Sequence, residues 1–192
     1  MFLENSSRRN DRQGCIEVIT GCMFSGKTEE LIRRLKRATI AHQKVGIFKS
    51  AHDKRYSEVN VVSHNANAMD SIPVNEPKAI VQLASGYDVI GIDEAQFFDD
   101  SLVKVCTLLA DQGKRVIVAG LDLDYRGLPF GPIPALIAHA EFVTKIHAIC
   151  LRCGNLAHYS FRLTRNETQV LVGAEETYEP LCRNCYNEAM KK

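Results

Sequence analysis

The segment at residues 21–28, GCMFSGKT, constrains the fold of this 192-residue chain more than any other feature. It matches the pattern G-x-x-x-x-G-K-[ST] at every fixed position, follows an apolar segment at 15–20 and opens an amphipathic segment at 28–42. The glycines allow the backbone to wrap around a phosphate, while the loop N–H groups and the helix N-terminus supply partial positive charge. The pattern therefore predicts a strand, a phosphate-binding loop and a helix.

The chemistry of this loop predicts the phosphates of a nucleoside triphosphate as its ligand. Lys27 is expected to reach the β- and γ-phosphates, and the Thr28 hydroxyl is expected to ligate Mg²⁺. The alternative is a glycine-rich turn that matches the pattern by chance, which the flanking strand and helix disfavour. The residues assigned to ATP are Gly21, Cys22, Met23, Phe24, Ser25, Gly26, Lys27 and Thr28.

A second apolar segment, at 87–92, runs into two carboxylates, Asp93 and Glu94. In proteins with such a phosphate loop, an Asp at this place holds Mg²⁺, directly or through water. The next residue is free to face the reacting group, so Glu94 is interpreted as a general base that takes a proton from a hydroxyl or a water. The alternative is an ordinary acidic strand end at a solvated loop.

Apolar strand candidates alternate with helical patterns along residues 14–149, which indicates βαβ units and a parallel sheet. From Cys150 onward the chain is polar, cysteine-bearing and hairpin-like. We therefore predict an α/β fold with a flexible tail at 1–13, a nucleotide-binding domain at 14–149 and a small metal-stapled lobe at 150–192. Strands are predicted at 15–20, 45–48, 59–62, 87–92, 116–119, 142–148, 159–163 and 169–172, and helices at 28–42, 77–84, 99–112 and 132–138.

Four of the seven cysteines form two C-x-x-C pairs, Cys150 with Cys153 and Cys182 with Cys185. Four thiolates in two such knuckles suit tetrahedral Zn²⁺, and a closed set of four cysteines leaves no open position for catalysis. The zinc is therefore expected to be structural and to clamp the ends of the 154–181 segment. The spacing between the pairs is longer than in a common zinc ribbon, so a redox pair is the alternative.

The balance of charge, 24 basic against 23 acidic residues, argues against a protein that grips nucleic acid through a broad basic face. No apolar run approaches the roughly 20 residues that span a bilayer, and the polar start at 1–13 shows no secretory signal. We therefore expect a cytoplasmic protein with no nucleic-acid partner and no membrane partner.

Several segments of the chain occur in the order that is typical of one family. The six segments are GCMFSGKT at 21–28, HDKRYS at 52–57, IGIDEAQFF at 90–98, VIVAGLDLDYRGLPFG at 116–131, CLRC at 150–153 and VGAEETYEPLCRNCY at 172–186. On these segments the chain resembles the cellular, zinc-containing type of thymidine kinase over about residues 15–187. The resemblance implies a RecA-like P-loop fold, Mg²⁺ bound with ATP, and structural Zn²⁺ in the lobe.

The same resemblance implies roles for individual residues. Glu94 would be the base that deprotonates the nucleoside 5′-hydroxyl, and Tyr125 stands where the family has an aromatic residue against the thymine. The further residues assigned to ATP are Asp53, Lys54, Arg55, Asp93, Glu94, Ala95 and Gln96. The residues assigned to thymidine are Met23, Leu121, Tyr125, Ser160, Gln169, Val170, Leu171, Val172, Gly173 and Tyr178.

The resemblance, together with the phosphate loop and the two carboxylates, implies an ATP:thymidine 5′-phosphotransferase, and it also implies a homotetramer that dTTP inhibits. One alternative is a RecA-type ATPase in which Glu94 activates water and the zinc lobe contacts nucleic acid, which the near-neutral charge disfavours. The other is a non-catalytic nucleotide-binding module whose lobe docks a protein. Retention of Lys27, Thr28 and Asp93 together with Glu94 disfavours that alternative, because a binding module needs no general base.

Overall fold

The computed structural model describes residues 13–51, 60–62, 68–164 and 177–191. Its helices are α1 (Lys27–Ile40), α2 (Pro77–Leu83), α3 (Ser101–Asp111), α4 (Ile133–His139) and α5 (Arg183–Met190). Its strands are β1 (Cys15–Thr20), β2 (Val45–Ser50), β3 (Asn60–Val62), β4 (Ala68–Asp70), β5 (Ile72–Val74), β6 (Val89–Asp93), β7 (Arg115–Gly120), β8 (Phe142–Lys145), β9 (Ala148–Ile149), β10 (Leu156–Ala157), β11 (Tyr159–Arg162) and β12 (Tyr178–Leu181). Within this described part, none of the helices has the length and apolar content to cross a membrane.

Six strands form a central sheet in the order β5-β2-β6-β7-β1-β8, and each neighbouring pair runs parallel. The predicted α/β class with a parallel sheet is confirmed. Thr20 at the end of β1 lies opposite Gly120 at the end of β7, and Asp93 at the end of β6 lies opposite Lys49 of β2. The carboxyl ends of these strands therefore meet at one edge, where open α/β sheets bind their ligands.

Helices cover both faces of the sheet because successive side chains of a strand point in opposite directions. Val116 and Val118 of β7 belong to the apolar cluster beneath α2, α3 and α4, whereas Ile117 belongs to the cluster beneath α1. A Cβ at Gly91 would lie 2.6 Å from Cδ1 of Leu35, so this glycine lets α1 approach the sheet closely. Each fully buried Leu or Ile contributes about 1.5–3 kcal/mol. The second cluster, which contains Leu31 and Leu35, therefore holds α1 firmly on the sheet.

The lobe after β8 consists of two antiparallel strand pairs, β9 with β10 and β11 with β12, followed by α5. Its apolar cluster contains Ala157, Leu181 and Tyr186, and it also takes in Cys22 from the 21–28 loop. The lobe therefore packs directly on that loop. The division of the chain into 14–149 and 150–192 stays a prediction, and the predicted tail lies almost wholly outside the described residues.

Some predicted elements differ from the structure. The strand predicted at 142–148 ends at Lys145, because the chain there leaves the main sheet and resumes in the lobe as β9. Strand β5 was not among the predicted strands. It contains Pro73, which lacks an N–H donor and is tolerated because β5 lies at the edge of the sheet. Helix α5 was not predicted, since it is short and buries only Tyr186 and Ala189. The strand predicted at 169–172 lies outside the described residues.

Candidate active site

The phosphate loop joins β1 to α1 at the carboxyl edge of the sheet. Gly26 has a φ of 86° immediately before α1, and a Cβ at Gly21 would lie 2.1 Å from the carbonyl oxygen of Ile146. Both positions therefore require glycine, the first for its conformation and the second for space. Lys27 Nζ donates a hydrogen bond of 2.7 Å to the carbonyl oxygen of Cys22, which holds the ammonium group over the loop where the pattern predicts phosphates.

Thr28 and Asp93, which are predicted to share Mg²⁺, are in contact. The Thr28 hydroxyl lies 3.1 Å from Oδ2 and 3.3 Å from Oδ1 of Asp93 and donates to the carboxylate. Burial, and after it the repulsion of the Glu94 carboxylate, raises the pKa of Asp93. A bound cation would stabilise the ionised form of this buried acid. Because Mg²⁺ prefers oxygen ligands, the two side chains fit a magnesium ion that is bound with phosphates.

Glu94, the predicted base, has an unusual backbone conformation. Its φ of 49° and ψ of 42° place it in the left-handed region, directly before the 3₁₀ turn Ala95–Phe97. For a residue other than glycine this conformation costs on the order of 1 kcal/mol, and such strain clusters at functional sites. The side-chain amide nitrogen of Gln96 donates a hydrogen bond of 2.5 Å to Glu94 Oε2. The turn thus holds the Glu94 side chain just after the buried Asp93.

Four of the predicted nucleoside contacts are brought together by strand β11. The Arg162 guanidinium carbon lies 3.6 Å from the centre of the Tyr125 ring. Nε and Nη2 of Arg162 donate to the Tyr178 hydroxyl at 3.1 and 2.6 Å. Two residues earlier on the same strand, Ser160 Oγ accepts a hydrogen bond of 2.9 Å from the N–H of Met23 in the phosphate loop. Strand β11 of the lobe therefore contacts the phosphate loop through Ser160 and contacts Tyr125 and Tyr178 through Arg162.

Among the other predicted residues, Leu121 adjoins the site, and eight residues lie outside the part of the chain that the structure describes. Leu121 follows β7, and its N–H donates to the side-chain oxygen of Gln96 at 3.0 Å, so it lies next to the turn after Glu94. The group outside the described residues comprises Asp53, Lys54, Arg55, Gln169, Val170, Leu171, Val172 and Gly173.

Two residues at this site were missed from the sequence, Arg162 and Tyr186. Alternate residues of a strand point the same way, so the assignment of Ser160 already contained a signal for Arg162. The Tyr186 hydroxyl donates a hydrogen bond of 2.8 Å to the carbonyl oxygen of Tyr125, 61 positions away in the chain. Its ring stacks on Tyr159 with centroids 4.3 Å apart. No local pattern could have shown this contact between α5 and the loop that carries Tyr125.

The paired cysteines form a single cluster in the lobe. All four are free thiols, and their sulfur atoms lie within 4.8 Å of one another. Tetrahedral Zn–S bonds of about 2.3 Å would separate the sulfurs by about 3.8 Å. Burial raises the pKa of the Cys150 thiol, but hydrogen bonds from backbone N–H groups, first that of Cys182, lower it overall to about 6. The cluster of Cys150, Cys153, Cys182 and Cys185 therefore fits structural zinc.

Comparisons with known proteins agree with this arrangement. The family model described as thymidine kinase matches residues 14–186. A protein named thymidine kinase from Bacteroides fragilis is 55% identical over the whole of this chain and 96% of its own length. Proteins of the same name from Porphyromonas gingivalis and Rhodothermus are 56% and 58% identical over 97% and 93% of this chain, and over 91% and 84% of their own lengths. Matches of this extent show that the chain belongs to the thymidine kinase family.

Proposed function

We propose that this protein transfers the γ-phosphoryl group of ATP to the 5′-hydroxyl of thymidine, which yields dTMP and ADP. The observation that carries the proposal is the contact between Thr28 of the phosphate loop and Asp93, with Glu94 as the next residue. In a chain of the thymidine kinase family, this arrangement supplies a phosphate site, a metal site and a base within one edge of the sheet.

Each residue has a defined part in the proposed reaction. The N–H groups of the 21–28 loop bind the ATP phosphates, and Lys27 exchanges its bond to the Cys22 carbonyl for a bond to a phosphate oxygen. Thr28 and Asp93 would hold Mg²⁺, which neutralises charge on the phosphates. Glu94 accepts the proton of the 5′-hydroxyl while that oxygen forms a bond to the γ-phosphorus. The bond from phosphorus to the bridging oxygen breaks, and ADP leaves with its electron pair.

The nucleoside is proposed to bind between the phosphate loop and the lobe. Tyr125 would lie against the thymine ring, with Tyr178 and Ser160 at its side. Met23, Leu121 and Ser160 would line the pocket for the thymine methyl, and Gln169, Val170, Leu171, Val172 and Gly173 would complete the enclosure. The hydrogen bond from Met23 to Ser160 supports this placement, because it joins the loop to the lobe. A closed site of this kind excludes water and so favours the nucleoside over water as acceptor.

The assignment is tested by offering a panel of nucleosides with γ-labelled ATP and measuring kcat/KM for the 5′-monophosphates. We expect thymidine to be the best substrate, deoxyuridine to be moderately worse and deoxycytidine to be far worse. Deoxyuridine lacks only a methyl, a loss of about 1 kcal/mol. Cytosine reverses the donors and acceptors at ring positions 3 and 4, and each mismatch costs about 1–3 kcal/mol.

Two outcomes of that panel would contradict the proposal. Equal kcat/KM values for deoxycytidine and thymidine would show that the pyrimidine edge is not recognised. ATP hydrolysis at the same rate with and without nucleosides would identify an ATPase. Inhibition by dTTP and assembly as a homotetramer form part of the proposal through the family resemblance alone.

Tyr186→Phe is expected to raise the KM for thymidine about 2- to 10-fold and to leave kcat and the KM for ATP unchanged. The variant removes the hydrogen bond that α5 donates to the carbonyl of Tyr125, with a net value of about 0.5–1.5 kcal/mol. It keeps the stack on Tyr159. Steady-state kinetics with each substrate varied in turn measure the effect.

The matched control is Tyr87→Phe. The ring of Tyr87 packs edge-on against Phe48, with 6.4 Å between the ring centroids, at a position away from the proposed nucleoside site. This control should leave both KM values unchanged. An equal rise in the KM for ATP in Tyr186→Phe would show that the hydroxyl supports the whole cleft rather than the nucleoside side of it.

A further inference from the structure

Gln96 is a buried polar residue in the 3₁₀ turn that follows Glu94. The family resemblance assigns it to the ATP segment, yet its side chain bridges two protein groups. Its Oε1 accepts a hydrogen bond of 3.0 Å from the backbone N–H of Leu121. Its Nε2 donates a hydrogen bond of 2.5 Å to Glu94 Oε2. The bridge joins the end of β6 to the residue after β7, the neighbouring strand of the sheet.

The two contacts determine which way the amide of Gln96 is turned. A backbone N–H can only donate, so the atom that faces Leu121 must be the amide oxygen. The amide nitrogen then faces Glu94 and presents a donor to its carboxylate. A glutamine that is held at both ends in this manner limits the torsions that the Glu94 side chain can adopt, because rotation of the carboxylate would break a short hydrogen bond.

The fold leaves space for Gln96 by means of two glycines. A Cβ at Gly120 would lie 2.9 Å from Gln96 Oε1, and a Cβ at Gly131 would lie 2.5 Å from the Gln96 carbonyl oxygen. Gly131 also has a φ of 52°, which disfavours other residues. The side chain of Gln96 therefore packs against Gly120 and its backbone packs against Gly131. This packing makes the Gln96 amide a rigid support for the Glu94 carboxylate.

We propose that Gln96 is a positioning residue that orients the Glu94 carboxylate toward the phosphoryl acceptor, an inference that rests on the proposed thymidine kinase reaction. Proton transfer to a base depends on hydrogen-bond geometry before it depends on basicity. Glu94 has a left-handed backbone conformation, and the 3₁₀ turn that follows it brings the side chain of Gln96 next to the Glu94 carboxylate. The structure thus supplies a support for the base that does not require contact between Gln96 and ATP.

The test is a double-mutant cycle on kcat with Glu94→Gln, Gln96→Met and the double variant. Methionine has a similar length and is unbranched, but it neither donates to Glu94 nor accepts from Leu121. We expect Gln96→Met to lower kcat about 10²-fold, the scale of a small misplacement of a reacting group, with both KM values within about 3-fold of wild type. Because Gln96 acts through Glu94, the double variant should be no slower than Glu94→Gln alone, within about 3-fold.

A second variant distinguishes the hydrogen bond of Gln96 to Glu94 from its hydrogen bond to Leu121. Gln96→Glu keeps an acceptor for the Leu121 N–H but places a carboxylate oxygen against Glu94 Oε2. We expect its kcat to fall at least as far as that of Gln96→Met, because two adjoining carboxylates share a proton and Glu94 is then a weaker base. Gln112→Met, the same chemical change at an exposed residue after α3, is the matched control and should keep wild-type kcat.

Three results would overturn the inference. Wild-type kcat in Gln96→Glu would show that Gln96 only anchors Leu121. A raised KM for ATP at unchanged kcat would make Gln96 an ATP ligand. Effects of Glu94→Gln and Gln96→Met that multiply in the double variant would show that they act independently. A wild-type enzyme that fails to phosphorylate thymidine would instead overturn the proposed function, and this inference with it.

Discussion

Glu94→Gln is expected to lower kcat about 10²-fold or more, the scale on which removal of a general base acts. The amide has nearly the same shape as the carboxylate but cannot accept the proton of the 5′-hydroxyl. Thr28 and Asp93 form their contact through their own side chains, and we expect ATP to bind to the variant with wild-type affinity. Single-turnover transfer from labelled ATP and a separate ATP-binding titration measure the two effects.

Glu76→Gln is the matched control for this prediction, since Glu76 is exposed and lies before α2. It should have wild-type kcat and wild-type affinity for ATP. Turnover near the wild-type rate in Glu94→Gln would reject Glu94 as the base. Loss of ATP binding in that variant would instead place Glu94 in the nucleotide site.

Cys153→Ser is expected to release zinc and to unfold the lobe, because a closed site of four thiolates contributes folding free energy directly. The wild-type protein should contain about one zinc ion per chain, by the same four-ligand logic. The lobe packs on the phosphate loop through a shared apolar cluster. We therefore expect kcat/KM for thymidine to fall by about 10²-fold or more, in line with the loss of a correctly positioned substrate.

Elemental analysis of the purified protein measures the zinc, and the thermal midpoint of unfolding measures the stability of the variant. Cys15→Ser is the matched control. Cys15 is a half-buried free thiol at the start of β1, and burial raises its pKa to about 11, so it is a poor metal ligand. This control should keep its zinc and its activity. A wild-type protein without metal and with full activity would count against the zinc site.

Parts of the site that depend on neighbours in the chain were predictable from the sequence. The loop at 21–28 needs glycine at fixed places, and α1 follows it because Leu31 and Leu35 recur at a helical period. The acidic end of β6 is likewise a local pattern, an apolar strand that ends in Asp93 and is followed directly by Glu94. The two C-x-x-C pairs predicted a cluster of four cysteines, because each pair places two sulfur atoms close together.

The contacts that join these parts were decided by the tertiary structure. Thr28 meets Asp93 across 65 positions of the chain, and Met23 meets Ser160 across 137. An apolar pattern shows that a strand is buried, but it does not show which strand lies beside it. The order β5-β2-β6-β7-β1-β8, which places β6 and β1 on either side of β7, was therefore not available from the sequence.

The chemical groups of the proposed reaction were thus determined by the sequence alone, because phosphate, metal and proton chemistry each need certain residue types in a short segment. Their supports were decided by the fold: Gln96 between Leu121 and Glu94, Arg162 on the ring of Tyr125, and Tyr186 beneath the backbone of Tyr125. The physical reason is that hydrogen bonds and ring contacts act over about 3–6 Å and depend on direction. Only the packed arrangement of distant segments sets such distances and directions.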